Sequence, residues 1–125
     1  MSITVMIVDD NQLLLQALCE HLEKMGYDTI IATNGKEALE KLKKEKPDII
    51  IMDIIMPEMN GLDATKAIRS DPELKNIPVV AFTSKSNLGQ WDELFNDYLI
   101  KPFDYENVIR IIENLTTKKR SNFSG

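Results

Sequence analysis

Four short apolar runs in this sequence each end on a residue able to do chemistry. Ile3 to Val8 stops at Asp9-Asp10, Ile49-Ile50-Ile51-Met52 at Asp53, Val79 to Phe82 at Thr83-Ser84, and Tyr98-Leu99-Ile100 at Lys101-Pro102. Carboxylates brought together repel one another unless they are protonated or neutralised by a cation. An all-oxygen site with few protein ligands suits Mg²⁺, which keeps waters and substrate oxygens in its shell. A carboxylate that attacks phosphorus needs its charge neutralised and the transferred oxygens held, and a metal, a hydroxyl and a lysine can do both. Each residue also has a plain reading. Asp9 or Asp10 can cap a helix, Thr83 can begin a turn, and Lys101 can be a solvated lysine. Their joint placement, one group at each run end, is what points to a site.

The elements that must position these groups alternate along the chain. Unbroken runs rich in β-branched residues read as strands buried on both faces of a parallel sheet, Ile49 to Asp53 most clearly. Asn11 can cap a helix running to about Met25, with Leu14, Leu15, Leu18, Leu22 and Met25 as its apolar stripe. Gly26 ends it, and Tyr27 to Ala32 supplies a second strand. Asn34-Gly35-Lys36-Glu37 resembles a capping box for a helix to about Lys44, with Ala38, Leu39 and Leu42 inward. After the loop from Ile54 to Asn60 and the turn residue Gly61, the stretch Leu62 to Arg69 is a short helix carrying Leu62, Thr65, Ala67 and Ile68, stopped by Asp71-Pro72. Roughly Leu88 to Asn96 is a weaker helical stretch, and the last helix runs from about Asp104 to Leu115. Lys118-Lys119-Arg120 and the residues to Gly125 read as a frayed tail, which gives one domain over 1–118 and a flexible tail over 119–125. Five strands alternating with five helices imply an α/β doubly wound parallel sheet with right-handed crossovers. All strand ends then share one edge, where open α/β sheets bind ligands.

Composition narrows the class. A chain of 125 residues builds one core, and a net charge of −5 gives no sign of direct nucleic-acid binding. No apolar run approaches the roughly 20 residues of a membrane span, and the start of the chain does not resemble a signal peptide. The single cysteine, Cys19, allows no internal disulfide, in keeping with a cytoplasmic protein; it reads as a helix residue near Leu15 and Leu22. The only histidine, His21, lies within the first helix, away from the strand ends.

Over essentially its whole length the chain resembles a response-regulator receiver domain of two-component signalling. The matching segments are Val8-Asp9-Asp10-Asn11, Met52 through Gly61, Ala81-Phe82-Thr83-Ser84, and Tyr98 through Phe103. The resemblance implies the flavodoxin-like strand order 2-1-3-4-5 and makes Asp53 a phospho-acceptor. Mg²⁺ would be ligated by Asp10, Asp53 and the carbonyl of Ile55, with Asp9 assisting. Thr83 and Lys101 would hold the phosphoryl oxygens, and Thr83 with Tyr98 would form the switch pair. The peptide before Pro102 is expected to be cis. Such a domain promotes its own Mg²⁺-dependent phosphorylation and a slow dephosphorylation, without being a turnover enzyme. The donor is a sensor histidine kinase, a phosphotransfer protein or a small acyl phosphate, the first helix commonly docks the kinase, and the output is an unspecified downstream protein.

Three departures from that family matter. Asn60 stands where aspartate is frequent, at a turn position both residues suit. Ile55 and Lys85, two residues beyond Asp53 and Thr83, influence placement of an attacking water, and an apolar Ile55 suggests slow self-dephosphorylation. The segment between Thr83 and Lys101 is about four residues short, roughly one helical turn, so the fourth helix is expected to be short, displaced or partly unwound, with Trp91 and Phe95 covering the core. Among rivals, an FMN-binding flavodoxin would find its phosphate repelled by Asp9-Asp10. A haloacid-dehalogenase-type phosphohydrolase wants its two aspartates two residues apart at strand one and a cap segment. A Rossmann domain needs a glycine-rich first turn. The alternative that remains is a receiver-like module that binds proteins without phosphorylation.

Overall fold

The alternating direction of apolar side chains along the central strand divides the core in two. The computed structural model describes residues 2–54, 59–84 and 89–124, excepting the side chains of 118–124. Its elements are β1 (Thr4–Val8), α1 (Gln12–Lys24), β2 (Asp28–Ala32), α2 (Gly35–Leu42), β3 (Ile49–Asp53), α3 (Gly61–Ser70), β4 (Val79–Thr83), β5 (Asp97–Ile100) and α4 (Tyr105–Ser124). The five strands are all parallel, in the order β2-β1-β3-β4-β5. Successive side chains of a strand point to opposite faces. Ile49 and Ile51 therefore join Leu15, Leu18 and Leu22 of α1 and Val108 and Ile112 of α4 on one face. Ile50 and Met52 join Ala38 and Leu42 of α2 and Ala64 and Ile68 of α3 on the other. Every residue of β3 and β4 is buried, which explains why both read as continuous rather than alternating runs.

The helix starts follow the side-chain chemistry. Asn11, Asn34 and Asn60 each sit at an N-cap and accept a hydrogen bond from the backbone N–H three residues on, at Leu14, Glu37 and Asp63. Glu37 reaches back as a capping-box residue should, but it accepts from the N–H of Thr33 rather than Asn34. Gly26, at φ +94°, closes α1 in a left-handed conformation that favours glycine.

Several expectations need correction. Between β4 and β5 the described residues contain no helix: 89–94 are turns. Phe95 is buried there and Trp91 packs against the same cluster, so both cover the core as expected. In α3 the buried face is Gly61, Ala64, Thr65 and Ile68, whereas Ala67 is exposed; the helix begins at Gly61, and that phase turns Ala67 outward. Met25 lies beyond the end of α1 and is 55% exposed. The last helix does not stop near Leu115 but continues to Ser124.

Candidate functional site

In the order β2-β1-β3-β4-β5 the connections leave β1 and β3 in opposite directions, which opens a crevice outside their carboxyl ends. Asp9 follows directly on β1 and Asp53 is the last residue of β3. Both are buried, at 1% and 6% exposure, while Asp10 faces solvent. Asp9 is held twice: its N–H donates to the carbonyl of Ala32 at 3.1 Å, and its Oδ1 accepts from the N–H of Asn11 at 2.9 Å. Asp53 has its backbone against Gly61, where a Cβ would stand 2.0 Å from the Asp53 carbonyl oxygen. Only glycine lets α3 start so close to the end of β3.

Lys101 supplies the positive charge. Its Nζ lies 3.2 Å from Asp9 Oδ2 and 3.5 Å from Asp53 Oδ1. Its N–H donates to the carbonyl of Thr83 at 2.8 Å, joining the ends of β4 and β5, and the peptide to Pro102 is cis. The ammonium also sits 4.4 Å from the centroid of the Phe82 ring, within cation–π range. Thr83 is buried at the end of β4.

Oxygens of Asp9, Asp10 and Asp53 can all lie within 4.8 Å of one another. Opposite ligands of Mg²⁺ stand about 4.2 Å apart at its usual bond length of about 2.1 Å, so small side-chain adjustments bring this set to metal geometry. Three carboxylates against one ammonium leave a surplus of negative charge, two of the acids being buried. The donor set and its charge thus suit a hard divalent cation. Ile55 lies outside the described residues, as does Lys85.

Sequence order therefore anticipated the convergence of Asp9, Asp10, Asp53, Thr83 and Lys101. Tyr98 is half-buried on β5 beside Ala81 of β4, and its hydroxyl accepts from the N–H of Trp91 at 2.7 Å. The role of Arg69 was not anticipated. From α3 its guanidinium donates to the carbonyls of Leu94 at 2.9 Å, Lys75 at 3.0 Å and Ile77 at 2.9 Å, and to Asn96 Oδ1 at 2.7 Å. An arginine in the last turn of a short helix before Asp-Pro reads as solvated, and no local signal distinguishes this one. His21 is half-buried and stacks on Tyr105, their ring centroids 4.1 Å apart.

A five-stranded parallel sheet with clustered aspartates at one edge and a lysine across from them defines a receiver domain. The pattern of the family described as response regulator receiver domain matches residues 5–113, and the chain belongs to that family, the switch domains of two-component signalling. Among curated proteins it is similar to the polar-differentiation response regulator DivK of Brucella anthropi, with 37% identity over 115 residues, covering 89% of this chain and 94% of the relative. Among solved structures it resembles the chemotaxis response regulator CheY4 of Vibrio cholerae, with a TM-score of 0.86, 28% identity, and coverage of 92% of this chain and 99% of that one. The receiver domain of Francisella response regulator 1452 gives a TM-score of 0.85 at 29% identity, covering 94% and 99%. Among the described residues no helix is long and apolar enough to cross a membrane.

Proposed function

We propose that this domain is a cytoplasmic signalling switch that accepts a phosphoryl group on Asp53. The observation that carries this reading is the placement of Lys101 Nζ between Asp9 and Asp53, 3.2 and 3.5 Å away. The ammonium neutralises the nucleophile on one side, and Asp9 keeps that ammonium in place. Asp10, Asp53 and Asp9 would hold Mg²⁺, with the carbonyl of Ile55 as a further ligand. When bound, the metal supplies charge neutralisation and orients the phosphoryl oxygens.

In the reaction an oxygen of Asp53 bonds to phosphorus as the bond from phosphorus to the donor breaks. The electron pair leaves with the donor, a phosphohistidine of a sensor kinase or phosphotransfer protein, or a small acyl phosphate. Lys101 and the Thr83 hydroxyl then bind the phosphoryl oxygens. Moving Thr83 toward them shifts the population of the surface around Tyr98, which a downstream protein reads.

Intact-protein mass after incubation with acetyl phosphate, with and without Mg²⁺, tests this on the wild type and Asp53→Asn. One phosphoryl group gained only with Mg²⁺, and none in the variant, is the expected result. A folded wild type that gains nothing under any condition instead supports a module that binds partners unmodified.

A further inference from the structure

Arg69 joins two connections that are distant in sequence and that start neighbouring strands. Its Nε donates to the Leu94 carbonyl at 2.9 Å, one terminal nitrogen to the carbonyls of Lys75 and Ile77 at 3.0 and 2.9 Å, and the other to Asn96 Oδ1 at 2.7 Å. Lys75 and Ile77 lie in the connection before β4, Leu94 and Asn96 in the one before β5. Asn96 then carries the link into the sheet. Its Oδ1 also accepts from the N–H of Val79, the first residue of β4, at 2.9 Å, and its own N–H donates to the Val79 carbonyl at 2.8 Å. Arg69 and Val79 thus converge on one oxygen, and the guanidinium holds the group that aligns the two strand starts.

That alignment matters because β5 is four residues long and lies at the edge of the sheet, beside β4. From Asn96 onward Asp97 pairs with Val80, Tyr98 with Ala81, Leu99 with Phe82 and Ile100 with Thr83, and the Lys101 N–H then donates to the Thr83 carbonyl at 2.8 Å. The Lys101 Nζ stands 3.2 Å from Asp9 and 3.5 Å from Asp53. A slip of one residue would shift β5 by about 3.3 Å and turn its side chains to the opposite face. Such a displacement is as large as the ammonium–carboxylate distance, so register decides whether Lys101 reaches the acceptor.

We propose that Arg69 is a positioning residue for phosphoryl transfer: through Asn96 it sets the register of β5 on β4, and with it the reach of Lys101 to Asp53. This role rests on the phosphorylation reading above. The site has two halves of different origin. Asp9, Asp10 and Asp53, which would hold Mg²⁺, follow or end β1 and β3, whereas Thr83 and Lys101, which would bind the phosphoryl oxygens, end β4 and follow β5. Arg69 acts on the second half alone. Loss of the clamp therefore slows phosphoryl transfer and leaves metal binding as it is.

The test uses Arg69→Ala, Asn96→Ala and Asn96→Asp, with two readouts. One is intact-protein mass against time with acetyl phosphate over a range of Mg²⁺; the other is amide hydrogen exchange of the Lys101 N–H in the unphosphorylated protein. Both alanine variants are expected to phosphorylate about tenfold more slowly or worse at saturating Mg²⁺, with the half-saturating Mg²⁺ concentration within about twofold of wild type. Lys101, at the other end of β5 from Asn96, is expected to exchange about tenfold faster or more while the β1 and β3 amides stay protected. Asn96→Asp keeps an oxygen for both donors and is expected to behave as wild type in both readouts. Should Arg69→Ala not fold, Asn96→Ala removes the last link alone and decides the question. Unchanged Lys101 exchange in the alanine variants would overturn the register claim. Faster exchange with a wild-type rate of phosphorylation would overturn its part in the reaction, as would a rate loss that merely follows weakened Mg²⁺ binding. A folded wild type that gains no adduct would overturn the phosphorylation reading and the positioning role with it. The exchange comparison needs neither metal nor donor, and still decides whether Arg69 sets β5.

Discussion

Replacing Gly61 with alanine tests whether the close approach of α3 to β3 is what sets the position of Asp53. The added Cβ would meet the Asp53 carbonyl oxygen at 2.0 Å, its carbonyl carbon at 2.9 Å and Met52 Cγ at 2.9 Å, where ordinary contact begins at 3.4 Å. Met52 can yield, since it is the flexible partner. The carbonyl cannot, because it belongs to the backbone at the end of a fully buried strand, where Asp53 pairs with Phe82 of β4 and the next N–H, that of Ile54, donates to the Phe82 carbonyl. Either the start of α3 or the end of β3 must move by more than an ångström. Overpacking of this kind costs about 1–3 kcal/mol and more where the backbone must shift. Alanine returns at most about 1 kcal/mol through its better helix propensity. At the upper end of the overpacking range, as a backbone shift requires, the net expectation is a loss of about 2 kcal/mol, which lowers the urea midpoint by roughly 0.7–2 M at a slope of about 1–3 kcal/mol/M. A movement of the Asp53 backbone also spoils its alignment with Lys101, so phosphorylation by acetyl phosphate is expected to slow by at least tenfold in molecules that remain folded. Urea melts and a mass time course under folding conditions measure the two effects separately. An alanine variant with wild-type midpoint and rate would refute the claim that this contact positions the acceptor.

Other sites give sharper single readouts. Asn60→Ala removes the acceptor for the Asp63 N–H at 2.9 Å and is expected to cost about 1 kcal/mol in urea, whereas Asn60→Asp, an equally good cap, is expected to leave the midpoint within error. The Thr65 hydroxyl is fully buried and has no hydrogen-bond partner among the described residues, so Thr65→Val is expected to stabilise the fold by about 1 kcal/mol; a lower melting temperature would show that the hydroxyl is satisfied in solution. Burial raises the Cys19 thiol above the free value of 9.0, partly offset by a hydrogen bond with Thr29 and reinforced by Glu23. The folded state therefore favours the protonated thiol: this contribution to stability is complete below the unfolded thiol's pKa and is lost as pH rises through the folded one. Reaction with a disulfide reagent is expected to be slow in the native protein at pH 9 and fast in urea at the same pH, and equal rates would contradict the burial. Tyr98 follows the same sign, and a spectrophotometric titration is expected to show a component above the ordinary tyrosine value that Tyr98→Phe removes.

What the sequence determined by itself was the order of the elements and the residues at their ends. Unbroken apolar runs can be strands only where both faces are covered, and alternation with amphipathic helices leaves a parallel sheet as the way to cover them. Once the strands are parallel, Asp9, Asp53, Thr83 and Lys101 share an edge without any knowledge of distances. The caps at Asn11 and Asn34 were equally legible in kind, because capping depends on residues three apart, whereas Asn60 read only as a turn residue and proved to cap α3. Tertiary structure alone decided matters that depend on residues far apart in the chain. The phase of α3, and with it the exchange of Ala67 for Ala64 on the buried face, follows from where Gly61 slips past Asp53. The carbonyls that Arg69 reaches belong to residues six to twenty-five positions away, two of them before β4 and one before β5. Local pattern reports which face of an element is apolar; it does not report which unpaired backbone groups the other elements will leave within reach of a long side chain.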